Sequence, residues 1–406
     1  LHLSIRRQRQ MCIRDRLQTG TRGTAIGLAT GALAAVGYIA IFAVRNKQLR
    51  KYALLACVGV AVIIGGFFIA RDTSYIQSTP SLARIANIDI GSDLQTRTII
   101  WGMSIAGIKE RPILGWGMGN FNYVFNQQYD PRLYGQEQWF DRVHNIFFDW
   151  LIAGGIFGFL AYFSIFAAAV YYLIVRPFKG DNTFTVVERG IIFGLLVGYL
   201  THNLVVFDNI VSYIFFAVTI AIIHSRYSRP IARVEKFAIP TPILNQVVAP
   251  VMAIATLALV YFVNVPSMQA SAALINAFGA QTLEERLTAF DTALSYNSFA
   301  HQEIVEQLAQ QTMGVAQGAA QQQAGITPEL FTAFKERTET ELSALAASKP
   351  GDARLHVFLA SYYRSVGDLE KAKEQLLLSR EFSPRKQAII LQQGACLLYT
   401  SPSPRD

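Results

Sequence analysis

Six apolar runs dominate the chain, near residues 25–44, 52–70, 146–175, 191–207, 210–224 and 243–263. Each approaches or exceeds the ~20 residues that a helix needs to cross a bilayer core. Each is also nearly free of Lys, Arg, Asp and Glu. The pattern predicts about six membrane helices. The short runs 191–207 and 210–224 form one hairpin, and the long 146–175 run tilts or extends beyond the membrane. Polar residues collect in two long stretches, 71–145 and everything after 264.

Composition agrees with this division. Hydrophobic residues make up 52% of the 406 and charged residues only 16%, with a mean hydropathy of +0.28. Those values are unusual for a soluble domain. The net charge of +8 falls in short loops and forms no basic stripe with interleaved aromatics, so a nucleic-acid partner is not expected. Short loops rich in Lys and Arg mark the cytoplasmic side. "RNKQLRK" (45–51) carries four cations and no acid. Placing it inside also places inside the loops with Arg176, Lys179 and Arg189, and with Arg226, Arg229, Arg233 and Lys236. The segment 71–145, the tip at 207–209 and the chain after 264 then lie outside. The three cysteines show neither disulfide nor metal spacing. The end stretches "MCIRDR" (11–16) and "CLLYTSPSPRD" (396–406) match neither region and read as translated adapter sequence. The expected division is a non-native end (1–18), a membrane domain (19–264), a helical tail (265–394) and a second non-native end (395–406). On that reading the chain is a fragment lacking an N-terminal part.

A 75-residue outer loop is too long for a connector. Within it, 93–112 reads as an amphipathic helix with Leu94, Trp101, Ile105 and Ile108 on one face and Pro112 ending it. Arg97, beside that face, has two readings: an ion pair with Asp93 one turn away, or a guanidinium that grips a lipid-borne phosphate. Gly115, Gly117 and Gly119 alternate in "ILGWGMGNF", as in an anion-binding nest or a tight turn. His144 and Asn145 open the 146–175 helix. A neutral imidazole there suits a general base; alternatively the pair is an N-cap, with Asp149 favoured in the first turn. Arg22 stands just before the first run, either as a snorkelling anchor or as a second phosphate cation. His202 and Asn203 lie deep in the hairpin and are expected to form a structural hydrogen bond between helices.

The order of these elements resembles the O-antigen ligase and Wzy-type polymerase family over roughly residues 19–224. Arg22 precedes a membrane helix. A long loop follows with "RTIIW" (97–101) and "RPILGWGMG" (111–119), and then His144-Asn145 with Gly154, Gly155 and Gly158. The resemblance implies catalysis by the outer loop on a glycan carried by polyprenyl pyrophosphate. It maps the family's essential arginines to Arg22 and Arg97 and its loop histidine to His144. Trp101, Arg111, Gly115, Gly117, Gly119 and Asn145 become candidate substrate contacts. No cofactor or metal is implied, and the loop holds no Asp-x-Asp pair.

The tail changes character. "LHVFLASYYRSVGDLEKAKEQLLLSREFSP" (355–384) resembles a tetratricopeptide repeat, with Leu359, Ala360, Tyr363, Gly367, Ala372, Leu376 and Pro384 at the repeat's intervals. Helices are also expected near 286–298, 300–322 and 328–347. Such solenoids bind partners and carry no chemistry. The expected fold is all-α: a polytopic membrane bundle with a long extracytoplasmic loop and a tetratricopeptide-like tail. The expected function is a multi-pass glycosyltransferase of the cytoplasmic membrane. It moves a lipid-linked glycan to a glycan, lipid or protein acceptor, with a protein partner on the tail. The alternative is a membrane-anchored, non-enzymatic scaffold for an envelope complex.

Overall fold

The computed structural model describes residues 22–87, 90–135, 139–181, 183–229 and 239–400, and every regular element among them is helical. The chain divides into two compact units, Leu1–Gln128 with Glu137–Arg229, and Tyr129–Gln136 with Pro230–Asp406.

The first unit contains α1 (Arg22–Phe42), α2 (Lys47–Ile69), α3 (Ile90–Glu110), α4 (Phe121–Gln127), α5 (Ile146–Val170), α6 (Val186–Asn203) and α7 (Ile210–Tyr227). A wide turn at Tyr171–Val175 and a last turn at Arg176–Phe178 extend α5. Five helical segments of the described residues are long and apolar enough to cross a membrane: Gly23–Phe42, Lys47–Ile69, Ile146–Phe178, Ile210–Tyr227 and, in the second unit, Thr241–Gly279. The sequence pattern predicts six. The missing one corresponds to α6, which is as long as α7 but made less apolar by Glu188, Arg189, His202 and Asn203.

Glycines set how α6 packs on α1. A Cβ on Gly194 would lie 2.5 Å from the Gly31 carbonyl oxygen, and one on Gly198 2.8 Å from that of Gly27. Only hydrogen fits at such a crossing, so the two backbones approach as small-residue membrane pairs do. Helix α5 meets α6 and α7 through Phe166, which stacks on Tyr199 of α6 with centroids 6.1 Å apart and on Phe216 of α7 at 5.1 Å.

Helix α3 forms where the pattern predicts, but a different face is buried. Ile99, Ile100, Met103 and Ser104 turn inward, while Leu94 and Ile105 stay exposed. Hydrophobicity alone did not separate the faces, because α3 has apolar residues on both.

The second unit continues from α8 (Ala249–Gly279) through α9 (Leu283–Ser295), α10 (His301–Ala320), α11 (Pro328–Ser348), α12 (Ala353–Ser365), α13 (Leu369–Phe382) and α14 (Gln387–Thr400). The apolar first half of α8 is exposed, and Ala270, Ala273 and Ala277 of its second half join a core with Phe290, Leu308 and Phe334. Each of α9, α11, α12 and α13 begins at a Thr or Asp whose side chain accepts a backbone N–H, as the sequence preference for such caps demands. The segment Tyr129–Gln136 belongs to this unit. Tyr129 and Leu133 are fully buried, and Gln387 Nε2 donates to the Pro131 carbonyl at 2.9 Å. Helix α14 runs on through residues 396–400, and Cys396 is buried.

Candidate functional site

The junction before α5 holds His144 in an unusual backbone conformation. Its φ is +58°, a left-handed value that L residues adopt at a cost. Side chains fix the backbone on both sides. The Val143 N–H donates to Asp149 Oδ1 at 2.9 Å. Asn145 is the N-cap, accepting the N–H groups of Phe147 (3.0 Å) and Phe148 (3.4 Å), while its Nδ2 donates to the Leu204 carbonyl at 3.2 Å. Asn145 is 7% exposed. These bonds make Asn145 a clamp for the backbone beside His144.

The His144 ring lies edge-on to Phe140 (5.7 Å) and Phe207 (5.1 Å). Burial pushes its pKa below the ordinary histidine value, the charge of Arg97 adds to this, and Asp141 opposes it. The neutral imidazole, the form a general base requires, is thus favoured. Arg97 itself makes no hydrogen bond or ion pair among the described residues; the Asp93 side chain lies outside them. Trp101, one turn on, packs against Phe148 at 5.9 Å with its Nε1 buried and without an acceptor.

The glycine stretch has another use than an anion nest. In α5, Gly155 has φ +57° and ψ −156°, which breaks the helix. Residues 112–117 fill the break. Trp116 N donates to Ile152 O (2.6 Å), Gly117 N to Ala153 O (3.0 Å) and Ile156 N to Pro112 O (2.9 Å). The Gly117 N–H thus satisfies a carbonyl freed by the kink, while the Gly115 N–H donates to the Arg111 carbonyl at 3.1 Å. Gly115 is required there, because a Cβ would lie 2.5 Å from Ile152 O. Gly119 (φ +77°) has open space around it and carries no such contact. Arg111 stacks over Trp116 at 4.2 Å, and Trp116 Nε1 donates to Gly107 O at 2.9 Å.

Arg22 begins α1, but its side chain lies outside the described residues. The next residue, Gly23, abuts Val206 and His202, which places the start of α1 at the same end of the bundle as Phe207 and His144. His202 does not make the expected interhelical hydrogen bond. It faces the glycines of α1, with Nδ1 unpartnered. Asn203 instead donates to Asp208 at 2.6 Å.

Asp208, at the hairpin tip, is a residue that the sequence alone does not assign to the site. Its carboxylate also accepts from Tyr199 (2.7 Å) and Ser212 (3.2 Å). With Arg142, Asp149, Trp150, Tyr213 and Met118 it borders a cavity of about 50 Å³ beside the His144 junction. The only signal in the sequence was an acid at a hairpin tip, and its meaning depends on which helices the tip meets. A larger apolar groove of about 570 Å³ runs between α1, α6 and α7, with Gly27, Gly31, Gly194 and Gly198 in its floor and His202 in its wall.

The ordered elements on this face are those on which the resemblance rests. Residues 17–163 match the O-antigen ligase family model, Wzy_C. The match covers α1 to the first half of α5, including Arg97, His144 and the interlocked glycines. With the apolar helices, the O-antigen ligase match points to a multi-pass membrane protein and suggests a glycan-transfer function. No curated protein and no solved structure matches the chain.

Proposed function

We propose that this chain carries the catalytic face of a membrane glycosyltransferase. The donor is a glycan on polyprenyl pyrophosphate, and the acceptor is a hydroxyl presented outside the cytoplasmic membrane. The observation that carries the reading is the strained, clamped and neutral-favouring His144 near an Arg97 that has no partner among the described residues.

In the step envisaged, an unprotonated His144 nitrogen takes the acceptor O–H proton. The acceptor oxygen bonds to the anomeric carbon. The bond from that carbon to the pyrophosphate oxygen breaks, and its electron pair leaves with the lipid pyrophosphate. Arg97, with Arg22 as second cation, stabilises the charge developing on that leaving group. Arg111 is held on Trp116 and positions the loop. The groove between α1, α6 and α7 suits the lipid chain of the donor, because its lining is almost wholly apolar. The tetratricopeptide-like tail would hold the acceptor or an assembly partner.

Replacement of Arg97 and, separately, of His144 by alanine in the full-length parent tests this reading. Both variants should accumulate to normal levels and lose surface glycan. Normal surface glycan in both would leave the scaffold as the better account.

A further inference from the structure

The apolar groove between α1, α6 and α7 has free polar groups at one end only. It runs from Thr24 and His202, beside the start of α1, to Ala35 and Ile191. Four polar side chains border it, and two of them are engaged within the protein. Tyr199 donates its hydroxyl to Asp208 at 2.7 Å, and Thr219 donates to the Phe215 carbonyl at 2.8 Å. The other two, Thr24 and His202, make no hydrogen bond among the described residues. His202 Nδ1 is buried, and a Cβ on Gly23 would lie 3.5 Å from it. The ring therefore meets the groove along its Nε2 edge. A buried lone pair without a donor is tolerated better than a buried N–H without an acceptor, which puts the proton on Nε2. The groove then offers an N–H and an O–H at the end where α1 begins, and the positive end of that helix adds to them.

We propose that His202 is a specificity-determining residue that, with Thr24, recognises the phosphate of a single-chain isoprenoid lipid lying in the groove. Both side chains lack an acceptor, and an ionised phosphate oxygen is a strong one. The rest of the lining is glycine and apolar side chains, matched to a hydrocarbon body without polar atoms. A groove of about 570 Å³ suits one such chain better than the paired acyl chains of a phospholipid. The assignment rests on the glycan-transfer reading for the choice of lipid. It adds which way the donor lies, with its phosphate at His202 and its chain running toward Ile191.

The test measures binding of geranylgeranyl phosphate and of geranylgeraniol to the full chain in detergent by titration calorimetry. Wild type should bind the phosphate about tenfold or more tightly than the alcohol. His202→Leu should lose most of that preference and keep its affinity for the alcohol. His202→Gln, which retains an N–H donor, should restore the preference. Should His202→Leu not fold, Thr24→Val serves instead and should narrow the preference at unchanged alcohol affinity. The proposal is overturned if wild type shows no preference, or if the variant in use keeps it in full. It is also overturned if that variant loses both ligands equally, as a purely structural role would require. Displacement of geranylgeranyl phosphate by phosphatidic acid at equal concentration would reassign the groove to a phospholipid, and displacement by inorganic phosphate alone would reassign it to a soluble anion; either overturns the assignment. None of these readouts uses glycan transfer. Normal surface glycan in the Arg97 and His144 variants would refute the transfer reading and leave the binding result standing. An absent preference, with glycan lost in those variants, would refute only the role of His202.

Discussion

Gly155→Ala is the sharpest single perturbation of the catalytic face. A methyl at this position would lie 2.2 Å from Ile113 O and 2.7 Å from Leu114 N, so the 112–117 segment must retreat. The φ/ψ pair of +57° and −156° belongs to a region that only glycine occupies readily, which adds about 1–3 kcal/mol. Retreat also breaks the three backbone hydrogen bonds from Trp116, Gly117 and Ile156, each contributing roughly 0.5–1.5 kcal/mol. Together these give a destabilisation of about 3–7 kcal/mol, a large part of the stability of a typical domain. Two neighbours serve as controls. A Cβ on Gly154 meets nothing within 4 Å, and one on Gly158 meets only Trp150 at 3.8 Å. Thermal unfolding of the detergent-purified protein, with limited proteolysis of the 112–117 segment, gives the readout. Gly155→Ala should melt far below wild type and be cut in that segment. Gly154→Ala and Gly158→Ala should match wild type or exceed it. Equal melting of all three would show that the interlock does not hold the loop.

The remaining predictions concern chemistry and packing. Because burial and Arg97 lower the pKa of His144, the acid limb of the rate profile should lie below about pH 6.5, the ordinary histidine value, and the rate should be flat above it. Residual activity of Arg97→Gln should show that limb moved upward, and an unmoved limb would remove Arg97 from the imidazole's surroundings. The same shift makes the unfolded state bind more protons near pH 6, so His144 contributes stability that falls as pH drops through that range. In the tail, burial raises the Glu306 carboxyl pKa, but Arg354, bonded to it at 2.6 and 3.0 Å, and Gln302 pull it below the ordinary glutamate value. A lowered carboxyl pKa stabilises above the unfolded value and is lost as pH falls. Arg354→Ala should therefore destabilise the protein more at pH 7 than at pH 4, by about 1–3 kcal/mol at the higher pH, read as a larger drop in melting temperature there. Gly194→Val should separate α1 from α6 and lower the yield of folded protein, because even a Cβ there would lie 2.5 Å from Gly31 O.

Much of the architecture was legible because bilayers and helix caps act locally. Apolar runs of sufficient length place the spans, and Asn145 caps α5 where the pattern changes from polar to apolar. The helices of the tail fall near their expected limits, at His301–Ala320 and Pro328–Ser348. Lengths, caps and period are properties of a dozen neighbouring residues, and the sequence by itself determined them. It also placed His144 and Arg97 in one loop region. Only the tertiary structure decided what their neighbours do. The glycines at 115 and 117 looked like donors for an anion, yet their segment completes a helix broken forty residues later at Gly155. Asp208 was one acid at a hairpin tip until folding set it beside Asp149 and Arg142. The solvent-ward or inward turn of α3 followed from packing on α4 and α5, because both of its faces are apolar. In each case the deciding term is a backbone carbonyl, a charge or a close approach supplied by a segment distant in sequence, and a local pattern contains no trace of which segment will arrive.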